Sequence, residues 1–147
     1  MALQFDKYAQ EGNTFLKELA EELDHPEEIS RTGILVRSVL HTLRDRIGMG
    51  ESLNFMAQLP MFLKAVYASE WKYHEKPERL KNMEEFKDKV KERQSQSGEI
   101  DFDWDQSTEQ LIEKILGFIN KKYVSPGEIE DVKDNLPEDL KRIFGPV

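Results

Sequence analysis

Three carboxylates at alternate positions, Asp101-Phe102-Asp103-Trp104-Asp105, form the densest acidic cluster of the chain, and Glu109 and Glu113 follow it. Such D-x-D-x-D spacing opens calcium loops, where alternate carboxylates converge on a hard cation. Here the sixth position is Gln106 instead of the Gly that makes the turn, and the twelfth is Ile112 instead of a bidentate Glu. The stretch therefore reads as a helix entry: acids favour the amino-terminal end of a helix, while Phe102 and Trp104 anchor the strap to the core. No metal site and no cofactor is expected.

The histidines are His25, His41 and His74. His41 and Asp45 stand at i and i+4 on one helical run, a spacing that suits an acid–base pair but far more often serves a structural one in a semi-buried network. A different chemistry is open to Trp71-Lys72-Tyr73-His74-Glu75-Lys76-Pro77-Glu78-Arg79-Leu80-Lys81, where four basic and two acidic residues lie among aromatics. Stacking and charge could hold bases or phosphates there. The simpler account pins Trp71 and Tyr73 over a junction and leaves Lys and Arg in solvent. With no cysteine, thiolate metal sites, disulfides and cysteine nucleophiles are excluded, and neither a phosphate-binding Gly-rich loop nor a nucleophile elbow is present.

Positioning these residues falls to helices. Apolar residues recur with a period near 3.6 almost throughout. Phe15, Leu16, Leu19 and Leu23 mark a first helix with Gly12 as a weak point, and His25-Pro26-Glu27-Glu28 restarts the chain, with Pro suited to a first helical turn. Leu35, Val39, Leu43 and Ile47 give a second long helix, Leu53 to Leu59 a short third, and Pro60 opens a fourth. After the connector come a charged helix around Phe86 and Val90, a polar loop at Gln94-Ser95-Gln96-Ser97-Gly98, and a helix from Ser107 or Thr108 to Tyr123. Ser125-Pro126-Gly127-Glu128 then has the form of a capping box, and Pro137 to Phe144 make the last helix.

The order of these elements repeats. Gln58-Leu59-Pro60, Leu63-Lys64 and Val66-Tyr67 match Asn135-Leu136-Pro137, Leu140-Lys141 and Ile143-Phe144 at one constant offset, and weaker matches extend further towards the amino terminus. The 147 residues are thus expected to form one all-α domain: a four-helix repeat at 1–70, a connector at 71–81 and a second repeat at 82–147, packed as one bundle with pseudo-two-fold symmetry. A unit of about 70 residues buries little core alone. The charge of -8, from 29 acidic and 21 basic residues, divides evenly as -4 in residues 1–70 and -4 in residues 71–147, which disfavours nucleic-acid binding as the main task.

Phe5-Asp6-Lys7-Tyr8, Phe15-Leu16, Val39-Leu40-His41-Thr42-Leu43-Arg44-Asp45-Arg46, Gln58-Leu59-Pro60-Met61-Phe62-Leu63-Lys64, Tyr67, Trp71, Phe86 and the closing Leu136-Pro137, Leu140 and Phe144 resemble the bacterial domain-of-unknown-function family 2267 over essentially the whole chain. The resemblance implies an all-helical, soluble bacterial protein and carries no catalytic residues with it. No signal peptide or membrane-length apolar run is read in the sequence, so a cytoplasmic protein is expected. Taken together, the leading expectation is a helical interaction or scaffold module without catalysis. It would bind a protein partner or itself through a groove between the repeats, with Met61, Phe62, Trp71, Tyr73 and His74 at the junction as contact residues. The alternative is a small-molecule-binding protein or enzyme using His41 and Asp45, and the third is weak nucleic-acid binding through the connector.

Overall fold

The 3.6-residue recurrence of apolar residues becomes seven α-helices and a terminal 3₁₀ helix in the computed structural model, which describes residues 4–99 and 101–145. They are α1 (Phe5–Glu22), α2 (Ile29–Arg46), α3 (Met49–Ala57), α4 (Met61–Ala68), α5 (Met83–Gln96), α6 (Thr108–Tyr123), α7 (Pro126–Asp134) and the 3₁₀ helix Glu138–Phe144. No strand forms among the described residues, and no helix there is long and apolar enough to cross a membrane.

The second helix is the centre of the packing, touching α1, α3, α4, α5 and α6. Its residues Ser38-Val39-Leu40-His41-Thr42-Leu43-Arg44 are buried consecutively, so this helix is covered all round instead of along one stripe. Buried polar groups on such a helix must find partners inside the protein. Thr42 Oγ1 donates to its own helix at Ser38 O, 2.7 Å away, whereas His41 and Arg44 reach outward to α4 and the segment after it.

Gly12 does not interrupt α1. A Cβ at this position would lie 3.5 Å from the Phe62 ring, an ordinary van der Waals contact. Gly12→Ala is therefore expected to raise the unfolding free energy by about 0.5–1 kcal/mol, the helix-propensity difference, read as a higher urea midpoint. A lower midpoint would show that the Phe62 ring cannot accept the methyl group.

Four local expectations are corrected. Pro26 lies in a turn and α2 begins only at Ile29; the turn is made by Asp24, at a φ of 63°, and Glu28, whose carboxylate takes His25 and Arg31. The polar run from Gln94 is no loop as far as Gln96: it ends α5, with Gln94 buried, and the chain turns only at Ser97 and Gly98. Pro60 opens α4 as expected, from the cap position, whereas Pro137, expected inside the last helix, is likewise a cap one residue outside it. Their carbonyls accept from Leu63 and Lys64, and from Leu140 and Lys141. At Ser125 only half of a capping box forms. Its Oγ accepts from Glu128 N, but its own N–H donates to Gln58 Oε1 at 2.7 Å, because the Glu128 side chain is turned into the interior. The complete box is at Ser107, with Gln110 as its reciprocal partner.

Candidate functional site

The segment 69–82 between α4 and α5 follows the carboxyl-terminal end of α2. Glu78 N donates to Asp45 O at 2.9 Å and Arg46 Nε to Leu80 O at 2.7 Å, which fix its path. Its start is held by Arg44, only 3% exposed, whose Nη1 donates to Tyr67 O and Ser69 O, both at 2.8 Å. The Arg44 guanidinium also lies 5.6 Å from the Trp71 ring, and Trp71 meets Tyr67 edge-on. Trp71 thus packs against the support of the segment.

Between this segment, α2 and the end of α5 lies a cleft of about 570 Å³. Its floor is a charge network. Asp45 accepts from Arg44 Nε at 2.9 Å and from Arg93 Nη2 at 2.7 Å, while Arg93 Nη1 donates to Thr42 Oγ1. His41 and Asp45 both line the cleft without sharing a hydrogen bond: His41 Nε2 donates to Val66 O at 2.7 Å and lies 3.2 Å from Ser69 Oγ. The expected i, i+4 pair is thereby replaced by two separate attachments, one to each side of the cleft. From the 69–82 segment, Lys72, Tyr73, His74 and Lys76 complete the wall. Tyr73 is 76% exposed. His74 Nδ1 donates to Lys72 O, and its Nε2 is buried without a hydrogen-bond partner, as is Glu78 Oε2.

Burial, reinforced by the positive charge of Arg44, Arg93 and Arg37, holds the His41 imidazole below its ordinary pKa of 6.5, against the opposing pull of the Val66 carbonyl. The unfolded chain therefore binds more protons than the folded one between the lowered value and 6.5, and stability from this group falls as pH drops through that window. His41→Gln keeps a donor for Val66 O without titrating. Its stability relative to wild type is expected to improve between pH 7 and 5.5; a gap that stays constant in denaturant titrations would contradict this.

The structure thus brings Tyr73 and His74 together with His41 and Asp45, and leaves Met61, Phe62 and Trp71 outside the cleft. Met61 is 50% exposed at the start of α4, whereas Phe62 packs on Phe15 and Tyr123 and borders a separate, largely apolar recess of about 310 Å³. The Asp101–Asp105 stretch behaves as a strap. Phe102 is buried under the Arg31 guanidinium, Trp104 stacks on His25 at 3.9 Å, and Gln106 ties the stretch to Leu23 O and His25. Among the described residues these aspartates form no group of three ligand atoms within 4.8 Å of one another. The group that meets this spacing is Glu51, Glu128 and Asp131, between α3 and α7. Sequence reasoning passed over it, although Glu51 and Glu128 stand at the same step as Leu59 and Leu136. It also passed over Arg44 and Arg93, whose partners lie too far along the chain for any local pattern to reveal.

Residues 12–143 match the model of a family described as an uncharacterized conserved protein, DUF2267. The chain belongs to this family. No curated protein matches it. Every residue of the cleft in this DUF2267 chain falls within the matched span, so the cleft is built from the family's own domain and not from an appendage.

Proposed function

We propose that this DUF2267 protein binds a small anionic ligand, a carboxylate- or phosphate-bearing molecule, in the cleft between the 69–82 segment and α2. The observation that carries the reading is unneutralised positive charge in a chain of net charge -8. Lys72 and Lys76 line the cleft and have no ion pair among the described residues. Arg44 and Arg93 share the single carboxylate of Asp45, while Glu70 and Glu78 are already paired with Arg37 and Lys89. Low-dielectric walls focus such a field on a bound anion. With Nδ1 donating to Lys72 O, His74 Nε2 would donate to a bound anion as the imidazolium, and Tyr73 sets an exposed ring over the opening. A volume near 570 Å³ suits a metabolite-sized molecule.

Calorimetric titration with inorganic phosphate, a four-carbon dicarboxylate and a nucleoside monophosphate tests the proposal. Saturable binding that weakens with added NaCl supports it. If none of these binds, or if only single-stranded oligonucleotides do, the reading fails, and in the second case the segment acts on a polymer.

The same reading includes an internal duplication, with residues 1–70 and 82–147 as copies joined by the 71–81 connector. The packing supports it. Under the exchange of α1, α2, α3 and α4 for α5, α6, α7 and the 3₁₀ helix, the α1–α2, α1–α4 and α2–α4 contacts correspond to α5–α6, α5–3₁₀ and α6–3₁₀ contacts. The α2–α5 contact corresponds to α6–α1, and α2–α6 and α3–α7 map onto themselves. Side chains follow the same exchange: Gln58 reaches the cap residue Ser125, and Asn135 lies beside Gly48.

A second reading, docking of a protein partner or a second copy on the α4 side, rests on exposed Met61 and the recess formed by Tyr8, Leu16, Phe62 and Val66. Sedimentation of wild type and Met61→Asp discriminates: an oligomer lost in the variant supports docking of a second copy, and a monomer in both cases removes self-association.

A further inference from the structure

We infer that Glu51, Glu128 and Asp131 form a binding site for a hard divalent cation at the junction of α3 and α7. One carboxylate oxygen from each residue lies within 4.8 Å of the others. A cation bonded to oxygen at 2.3–2.6 Å sets opposite ligand atoms about 4.6–5.2 Å apart and adjacent ones closer, so one ion can reach all three without rebuilding the backbone. All donors are carboxylates, the ligand type of calcium, magnesium and manganese and not of soft metals.

The independent sign of a ligand is Glu128 itself. It is only 7% exposed, and neither its Oε2 nor the buried Glu51 Oε2 finds an N–H or hydroxyl donor; Glu128 meets instead the Glu51 carboxyl, to which it can bond only through a shared proton. No Lys or Arg among the described residues pairs with any of the three carboxylates. A buried carboxylate without a donor or counter-charge is unfavourable, and it is retained where something else supplies the positive charge. Burial, then the hydrogen bond and like charge of Glu51, push the Glu128 carboxyl up to about 8, so an ion would bind by displacing the proton held there.

Each glutamate is the third residue of its helix, Glu51 in α3 and Glu128 in α7, and the two stand 77 residues apart, the step that separates Leu59 from Leu136. The duplication therefore explains why two glutamates meet here, on the axis relating the copies, while the site itself stands on the contacts. Asp131 breaks the symmetry: the matching position is Asn54. One side thus supplies two carboxylates and the other one, with the remaining positions of an ion left to water.

The test is a melting series on chelator-stripped full-length protein with CaCl2, MgCl2 and MnCl2, beside Glu128→Gln and Asp131→Asn. Wild type is expected to show a saturable rise of roughly 5 °C with at least one of the ions at about a hundredfold excess over its Kd, and the variants to lose it. Glu128→Gln keeps the shape of the side chain and puts an amide in place of the protonated carboxyl, so it should fold without the ion. Paramagnetic broadening by Mn2+ gives a second readout, expected first at the amides around residues 51 and 128. No saturable rise, an equal rise in Glu128→Gln, or broadening centred on other acids such as Asp101 and Asp103 would overturn the assignment.

Discussion

Arg44→Met is expected to lower the unfolding free energy by about 3–5 kcal/mol, the range for removing one member of a buried, hydrogen-bonded charge network. Arg44 is buried, and it closes the end of α4 by donating to Tyr67 O and Ser69 O while sharing Asp45 with Arg93. Met fills similar volume but supplies no donor. Two backbone carbonyls lose their partner and Asp45 keeps a single cation. The cost in melting temperature is roughly 10 °C for a domain of this size. Arg44→Lys restores the charge but not the planar fork that serves two carbonyls and a carboxylate at once, so it should recover only part of the loss. Urea denaturation within about 1 kcal/mol of wild type for Arg44→Met would mean that the 69–82 segment holds its position by other contacts.

Reversing both free lysines, Lys72→Glu with Lys76→Glu, is expected to abolish anion binding, a loss of at least about a hundredfold in affinity, since each charge-assisted hydrogen bond is worth about 1.5–3 kcal/mol. Both side chains are exposed and hold no ion pair among the described residues, so the change should leave stability within about 0.5 kcal/mol. That combination separates binding from folding. Loss of binding with an unchanged melting curve places the ligand at these lysines. Retained affinity would move any anion site elsewhere, and the cleft reading would fail with it.

The helical architecture was legible because its signals are local. Periodicity marks the faces of α1, α2 and α6, and Leu59-Pro60 and Leu136-Pro137 mark chain reversals where a buried Leu precedes a capping Pro. The limits of α2 and α5 were less legible. Pro26 looks like a helix start but serves a turn, and Gln94 looks like a loop residue but faces the core because α5 packs along α2. The candidate cleft was half legible. His41, Asp45, Tyr73 and His74 stand out by residue type, yet nothing local says that α2 and the later segment share one wall. Asp45 meets Arg93 across 48 residues and Arg44 meets main-chain carbonyls 23 and 25 residues on, and a carbonyl has no signature in a sequence. The Glu51–Glu128 meeting lay within reach of the 77-residue step between Leu59-Pro60 and Leu136-Pro137, which charged residues follow here as well as apolar ones.

Backbone and histidine NMR signals, followed while inorganic phosphate is added at constant ionic strength and pH, show whether an anion is held between α2 and the 69–82 segment. Saturable shifts are expected at His41, the amides of 72–76, the His74 ring and the Arg93 side chain, and not elsewhere. Shifts that grow linearly without saturation, or that scatter over surface lysines such as Lys7, Lys64 and Lys114, would contradict such a site.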